Sequence, residues 1–403
     1  MSGARLAVLL CFAEILSMAS FASWPALVPD FMDLWSLSAT DAGWIAGMYF
    51  GGYVVGAPVL SSLTDKVDAR QVYIWSSVLT ALSALAFALW AEGFWTAVLF
   101  RTITGFGLAG TYMPGLKALS DRIEGPKQSR AVAFYTASFG VGASLSYFVT
   151  GELFASAGWQ WAAASGAIGS VLAMIVVAVT LKPTKPVQMD ETGRHFLDFR
   201  PVLANRKAVG FTLAYSVHNW ELFAFRSWIV AYLAFSYDRQ QDAAAWWNMA
   251  TIAALVNLMG WLASVSGNEA AVKWGRRRTI TIVMWTSMAV ACLFGFASDW
   301  TFWLLVTLTF VYGATIAGES GAVTAGVVAA AREGQRGVTM AMHATIGFIG
   351  SFLGPIAFGY MLDFSGGPND PTAWGIAFAA TGIIVGLGPV AIWWLGNTGE
   401  AET

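Results

Sequence analysis

Long apolar stretches alternate with short polar ones along the whole chain. Twelve of them are long enough to cross roughly 30 Å of hydrocarbon. They fall at 6–28, 40–62, 72–91, 94–119, 130–154, 159–181, 207–235, 245–267, 279–297, 301–330, 338–362 and 373–396. In lipid the backbone must satisfy itself within the segment, so all twelve are expected to be helices. The longest hydrophilic stretch, Lys182 to Lys207, carries prolines and mixed charge. It separates an N-terminal six-helix bundle (1–181), a cytoplasmic central loop (182–206) and a C-terminal six-helix bundle (207–403).

Basic residues test this layout. Connections on one side hold Lys66, Arg70, Arg122, Lys182, Arg206, Lys273, Arg276–Arg278, Arg332 and Arg336, joined by the N-terminal Arg5, while those on the other hold only Arg239. By the positive-inside rule both termini are cytoplasmic. The first stretch is read as a span and not as a signal peptide: Glu14 interrupts it, and removing it leaves an odd number of spans.

Composition agrees. The chain is 57% hydrophobic and only 11% charged, against roughly 25% charged in soluble domains. It is expected to be a multi-pass protein of the lipid bilayer. A net charge of -2 gives no reason to expect a nucleic-acid partner. Cys11 and Cys292 both lie in apolar spans and read as packing residues.

The two halves repeat a pattern. A charged loop, Leu63-Thr64-Asp65-Lys66-Val67-Asp68-Ala69-Arg70, is matched by Lys273-Trp274-Gly275-Arg276-Arg277-Arg278. Ser129-Arg130-Ala131-Val132 opens the fifth span and Gln335-Arg336-Gly337-Val338 the eleventh, and each span is expected to close on a glycine before a loop (Gly151, Gly359). Such repeats mark secondary transporters with a solute site near the midplane.

These residues resemble the major facilitator superfamily over the whole length. The family's loop between helices two and three reads G-x-L-x-D-R/K-x-G-R/K-R/K. Leu63, Asp65, Lys66 and Arg70 match it, whereas Ser61 and Asp68 stand where it has glycine and Ala69 where it has a base. Asp68 is read as an aspartate that tolerates a left-handed turn. Arg101 to Gly105 resembles the R-x-x-x-G of helix four, and Gly140-Val141-Gly142-Ala143 lacks the antiporter proline of helix five. The resemblance implies an all-α fold of twelve transmembrane helices in two six-helix pseudo-repeats. It also implies a cytoplasmic gate of Asp65, Lys66, Arg70, Lys273, Arg276 and Arg277, and an Arg101 buried in the proton or substrate pathway. In the second half Val272 stands where Asp65 aligns, so Asp65 is the one acidic clasp, with Glu269 the nearby substitute.

Ionisable groups inside such spans cost about 2.5–3.5 kcal/mol each to insert and face a partner or a wet cavity. The candidates for the substrate and proton pathway are Glu14, Arg101, His218, Glu221, Arg226, Glu319 and His343. His218 and Glu221 are three apart and share a helix face. One reading is a relay in which Glu221 carries the proton and His218 tunes it; the other is a static polar lock. Arg226 lies about 140° around the helix from Glu221 and is expected to reach another helix. Arg101 binds an anionic solute, holds a carboxylate ionised, or simply pairs with Glu14. Glu14 and Glu319 cycle protons or tie helices, and His343 is a packing group or a further site.

Other patterns are weaker. Gly105, Gly107 and Gly110 fit G-x-G-x-x-G but lie inside a span, where small residues serve close helix approach. Met284 with Met288, and Met340 and Met342 with His343, raise a copper importer as a minor alternative, although the seventh span has no Met. The 20 tryptophans read mainly as interfacial belts, with Trp44 and Trp220 as possible cavity lining.

The sequence therefore predicts a monomeric, proton-coupled secondary transporter of the bacterial inner membrane. It carries a small polar or anionic solute by alternating access, with no cofactor and no resident metal. The alternatives are a drug/proton antiporter and, from another class, a membrane sensor or enzyme. For the last no nucleophile–base set is present, and His218-Asn219-Trp220-Glu221 is not H-E-x-x-H.

Overall fold

The computed structural model describes residues 3–123, 126–184, 199–240, 247–333 and 335–396. In chain order the first helices are α1 (Gly3–Ser17), α2 (Val28–Trp35), α3 (Ala39–Leu63), α4 (Ala69–Trp90), α5 (Phe94–Ser120), α6 (Pro126–Ala157), α7 (Trp159–Thr180) and the single turn α8 (Arg200–Leu203). They are followed by α9 (Arg206–Asp238), α10 (Met249–Trp274), α11 (Arg276–Phe294), α12 (Phe302–Gly318), α13 (Ser320–Ala330), α14 (Arg336–Phe364), α15 (Pro371–Val385) and α16 (Leu387–Gly396). Among the described residues there is no strand. Most of the predicted central loop, residues 185–198, lies outside the described residues.

Each of the twelve predicted spans is helical over most of its length. Among the described residues nine of the resulting segments are long and apolar enough to cross a membrane. The other three are α5, α9 and α11, which carry Arg101, then His218, Glu221 and Arg226, and then the Arg276–Arg278 cluster. Polar side chains lower their hydropathy.

Three spans are broken. The first stops at Ser17, passes through short 3-10 turns at Met18–Ser20 and Pro25–Leu27, and resumes as α2. Pro25 and Pro29 sit where a helix starts, since their missing N–H groups would be unsatisfied there anyway. The tenth breaks at Glu319 between α12 and α13, and the twelfth at Gly386.

The chain forms two compact units. The first contains residues 1–37, 48–191 and 246–258. Its core includes Leu6, Leu10 and Ala13 of α1, Tyr73 of α4, Leu119 of α5, Tyr135 of α6 and Val177 of α7. The start of α10 belongs here: Ser144 donates to the Ala254 carbonyl at 2.5 Å, and Asn248 Nδ2 to Glu152 Oε1 at 2.9 Å. The second contains residues 38–47, 192–245 and 259–403. Its core includes Phe211 and Ala214 of α9, Ile280 and Met284 of α11, Val323 and Val327 of α13, and Ile392 of α16. The start of α3 belongs to this unit. Asp363, at the end of α14, accepts from the Ala39 N–H at 3.1 Å and the Thr40 N–H at 2.7 Å. Its carboxylate thus satisfies the orphan donors of a helix N-terminus.

Some expectations are corrected. Gly151 and Gly359 do not close their helices. α6 and α14 continue past them, and each glycine marks a close approach instead, Gly151 to the Ala250 Cβ and Gly359 to the Ala39 carbonyl. Asp68 is not left-handed: its φ is -51°, and its side chain caps α4. The tryptophans are not all peripheral, because Trp24, Trp228 and Trp374 are fully buried in aromatic clusters. The Gly105–Gly110 pattern packs as expected. A Cβ at Gly105 would overlap the Tyr49 carbonyl and one at Gly107 the Thr80 hydroxyl.

Candidate functional site

In the first unit the polar centre surrounds Glu14, which is fully buried. Tyr135 Oη, from α6, donates to its Oε2 at 3.0 Å. Ser17 Oγ lies 3.3 Å from the same oxygen and 2.8 Å from the Glu14 backbone carbonyl. Oε1 has no hydrogen-bond partner among the described residues. Tyr73 approaches from α4 and donates to the neighbouring Ala13 carbonyl at 3.3 Å. No ion pair to Glu14 is present among the described residues.

Arg101 is the obvious cation, and it goes elsewhere. Its Nη1 donates to the Ser20 carbonyl at 2.9 Å and to Ser23 Oγ at 3.1 Å, and its Nη2 to the Phe21 carbonyl at 3.4 Å. Its guanidinium lies 4.1 Å from the centre of the Tyr49 ring. The expected alternative of an Arg101–Glu14 pair is therefore not formed. The break after α1 leaves carbonyls without helical partners, and the planar donor fork of Arg101 satisfies them.

In the second unit the polar centre is built on α9. His218 Nδ1 lies 2.8 Å from Glu319 Oε1, with both side chains buried. Glu319 stands between α12 and α13. Glu221, also fully buried, accepts from Tyr312 Oη at 3.0 Å and from Ser287 Oγ at 2.9 Å. The expected contact of His218 with Glu221 is not made, because each has a partner on another helix. His343 stacks on Tyr215 with ring centres 4.0 Å apart, and Tyr215 stacks in turn on His218 at 5.8 Å. Neither ring nitrogen of His343 has a hydrogen-bond partner among the described residues. Arg226 lies half-buried over the ring of Phe223, 5.3 Å from its centre. This contact lies on its own helix.

The charged loops are partly engaged. Asp65 and Lys66 are exposed, and Asp65 has no side-chain partner among the described residues. The buried acid of this loop is Asp68, which accepts from the Arg70 N–H at 3.0 Å and the Thr184 N–H at 2.8 Å. Arg70 donates to the Ala178 carbonyl at 2.9 Å. In the matching loop Arg277 donates to the Gly396 carbonyl at 2.7 Å, Arg276 to the Ala325 carbonyl at 3.3 Å, and Lys273 lies near the ring of Trp274.

Among the described residues no three His, Cys, Asp or Glu side chains are grouped to hold a metal ion. Met284 and Met340 belong to the main core of the second unit, and Met342 to a cluster with Val202 and Ala208. Trp44 packs edge-on against Phe352 and is 40% exposed.

Sequence reasoning missed Tyr135, Ser287, Tyr312 and Asp363. The signal for the first three was a hydroxyl inside an apolar helix, which is common enough to pass unnoticed.

The sequence profile of the Major Facilitator Superfamily matches residues 10–271, more than half of the chain. The chain belongs to that superfamily. The niacin transporter NiaP of Acinetobacter baylyi is 25% identical over 147 residues, which are 36% of this chain and 32% of the relative. The class H tetracycline resistance protein of Pasteurella multocida is 25% identical over 286 residues, 67% of this chain and 66% of the relative. The matched part thus spans about a third of the niacin transporter's length. A crystal structure of a bacterial homologue of the human lysosomal transporter Spinster, in an inward-facing and occupied conformation, superposes with a TM-score of 0.76. It is 13% identical and covers 98% of this chain and 97% of its own. That likeness establishes the all-α membrane fold of the superfamily.

Proposed function

We propose that this protein is a secondary transporter of the bacterial inner membrane that couples a small polar or anionic solute to protons. It crosses the membrane twelve times with both termini cytoplasmic and acts as a monomer. The bundles at 1–181 and 207–403 are the two halves of an alternating-access cycle.

One observation carries the reading: His218 and Glu319 face each other at 2.8 Å, fully enclosed, across a break in the tenth span. An imidazole is the side chain whose ordinary titration lies nearest neutrality. Its ring nitrogen and the carboxyl oxygen lie at hydrogen-bond distance and can share one proton. Arg101 braces the break in the first span through the Ser20 and Phe21 carbonyls.

Niacin, the solute in the name of one relative, is a small anion at neutral pH and makes nicotinate the first probe. Uptake into proteoliposomes under an imposed pH gradient tests the reading, with a panel of small anions and polar solutes beside nicotinate. Gradient-driven uptake that disappears in Glu319→Gln supports it, and gradient-independent uptake overturns it.

Drug efflux is the second reading, favoured by the tetracycline resistance relative, whose match is the longer of the two. Against it, α6 runs through Gly140–Ala143 without the proline of antiporters. Expression in an efflux-deficient strain separates the two, since only the efflux reading predicts raised drug tolerance.

A further inference from the structure

The two units carry a matched pair of carboxyls. Arg70 and Arg277 occupy the same place in their helices, two residues after the cap residues Asp68 and Gly275. They fix the repeat offset at 207 residues (277 − 70). Glu14 and Glu221 are separated by the same 207 residues (221 − 14). Each is fully buried, and each accepts from a tyrosine hydroxyl and a serine hydroxyl.

We infer that Glu14 and Glu221 are two reversible proton-binding sites, one inherited by each half of the duplicated chain. The inference rests on the proton-coupled reading above and extends it from one exchanging pair to a further pair of sites.

The chemistry of the cages supports it. Arginine or lysine satisfies a carboxylate only, because it donates and never accepts. A hydroxyl does both, so it suits a carboxylate and a carboxylic acid alike. Around Glu14 the second arrangement is already laid out. Tyr135 Oη lies 3.2 Å from the Tyr112 carbonyl and 3.4 Å from the Thr111 carbonyl, and Ser17 Oγ lies 2.8 Å from the Glu14 carbonyl. When a proton binds, an O–H bond forms on the carboxyl. The new acid donates to a hydroxyl oxygen, and that hydroxyl turns its own hydrogen to the backbone. No heavy atom has to move. Glu221 has one hydroxyl on each oxygen, Tyr312 on Oε1 and Ser287 on Oε2, and each hydroxyl oxygen can accept from a protonated acid.

The titratable neighbours of Glu14 are Cys11 on its own helix, Tyr49 on α3, Tyr73 on α4 and Tyr135 on α6. Those of Glu221 are Cys292 on α11, Tyr312 on α12 and Glu319, itself paired with His218. Among the described residues neither set includes a lysine or arginine.

Infrared difference spectroscopy of the full-length protein in lipid, titrated in pH without any solute, tests this. The carbonyl stretch of protonated carboxylic acids should rise as pH falls and shift on transfer to D2O. Glu14→Gln and Glu221→Gln should each remove one component, and the double variant both. Tyr135→Phe should displace only the first component and Tyr312→Phe only the second, which keeps the test open if a glutamine variant does not fold. A pH-independent band, or a band unchanged by either glutamine substitution, overturns the inference. Two titrating components alongside gradient-independent uptake would uphold the two sites while refuting coupled transport.

Discussion

Arg70 and Arg277 perform the same task in the two halves of the chain. Each is the second residue of its helix, and each donates to a carbonyl at the C-terminal end of another, Ala178 at 2.9 Å and Gly396 at 2.7 Å. A cation at a helix C-terminus stabilises it by about 0.3–1 kcal/mol, and about 2 kcal/mol where partly buried. Arg70→Met and Arg277→Met should each lower the melting temperature of the purified protein. A melting point unchanged in both would show that neither cap contributes.

Asp68 and Asp65 should separate stability from transport. Asp68 caps α4 and holds the Thr184 N–H, so Asp68→Ala should cost about 1 kcal/mol. Asp65 is exposed. Asp65→Asn should leave melting unchanged and slow uptake with little effect on solute affinity. Unchanged uptake would remove Asp65 from the mechanism.

The His218–Glu319 contact should show strong non-additivity. Replacing either residue by Leu leaves a buried polar partner unsatisfied, at about 1–3 kcal/mol. The double replacement removes both polar groups and should melt higher than the worse single variant. Strict additivity in this double-mutant cycle would show that the two side chains do not interact.

Glycines divide into two groups by what surrounds them. A Cβ at Gly105 would overlap the Tyr49 carbonyl, and one at Gly350 the Ser216 carbonyl. Backbone does not yield as a flexible side chain does, so Gly105→Ala and Gly350→Ala should each destabilise by about 1–3 kcal/mol. Gly140 has nothing within 4 Å of its Cβ position, and Gly140→Ala should be tolerated. Thermal melting of the three variants side by side checks this.

The spans were legible in the sequence because lipid leaves a run of twenty apolar residues little choice but helix. The breaks at Ser17–Leu27 and at Glu319 were not, since apolar composition continues through them. The list of buried ionisable residues was legible too, from the insertion cost of each. Their pairing was not. His218 and Glu221 share a helix face by spacing, but His218 meets Glu319, 101 residues away, and Glu221 meets Tyr312 and Ser287. Spacing along one helix says which side chains are neighbours on its surface and is silent about which other helix covers them. Asp68 was read against the family's glycine and so as a turn residue. Its ordinary chemistry as an N-cap was the better guide.

The central claim is that solute movement is tied to protons through His218 and Glu319. Uptake should be measured in proteoliposomes with and without an inward pH gradient, for the wild type and Glu319→Gln at matched protein density. The account predicts accumulation that rises with the gradient in the wild type and is lost in the variant while equilibrative exchange persists. Equal accumulation in both, or accumulation indifferent to the gradient, would contradict it.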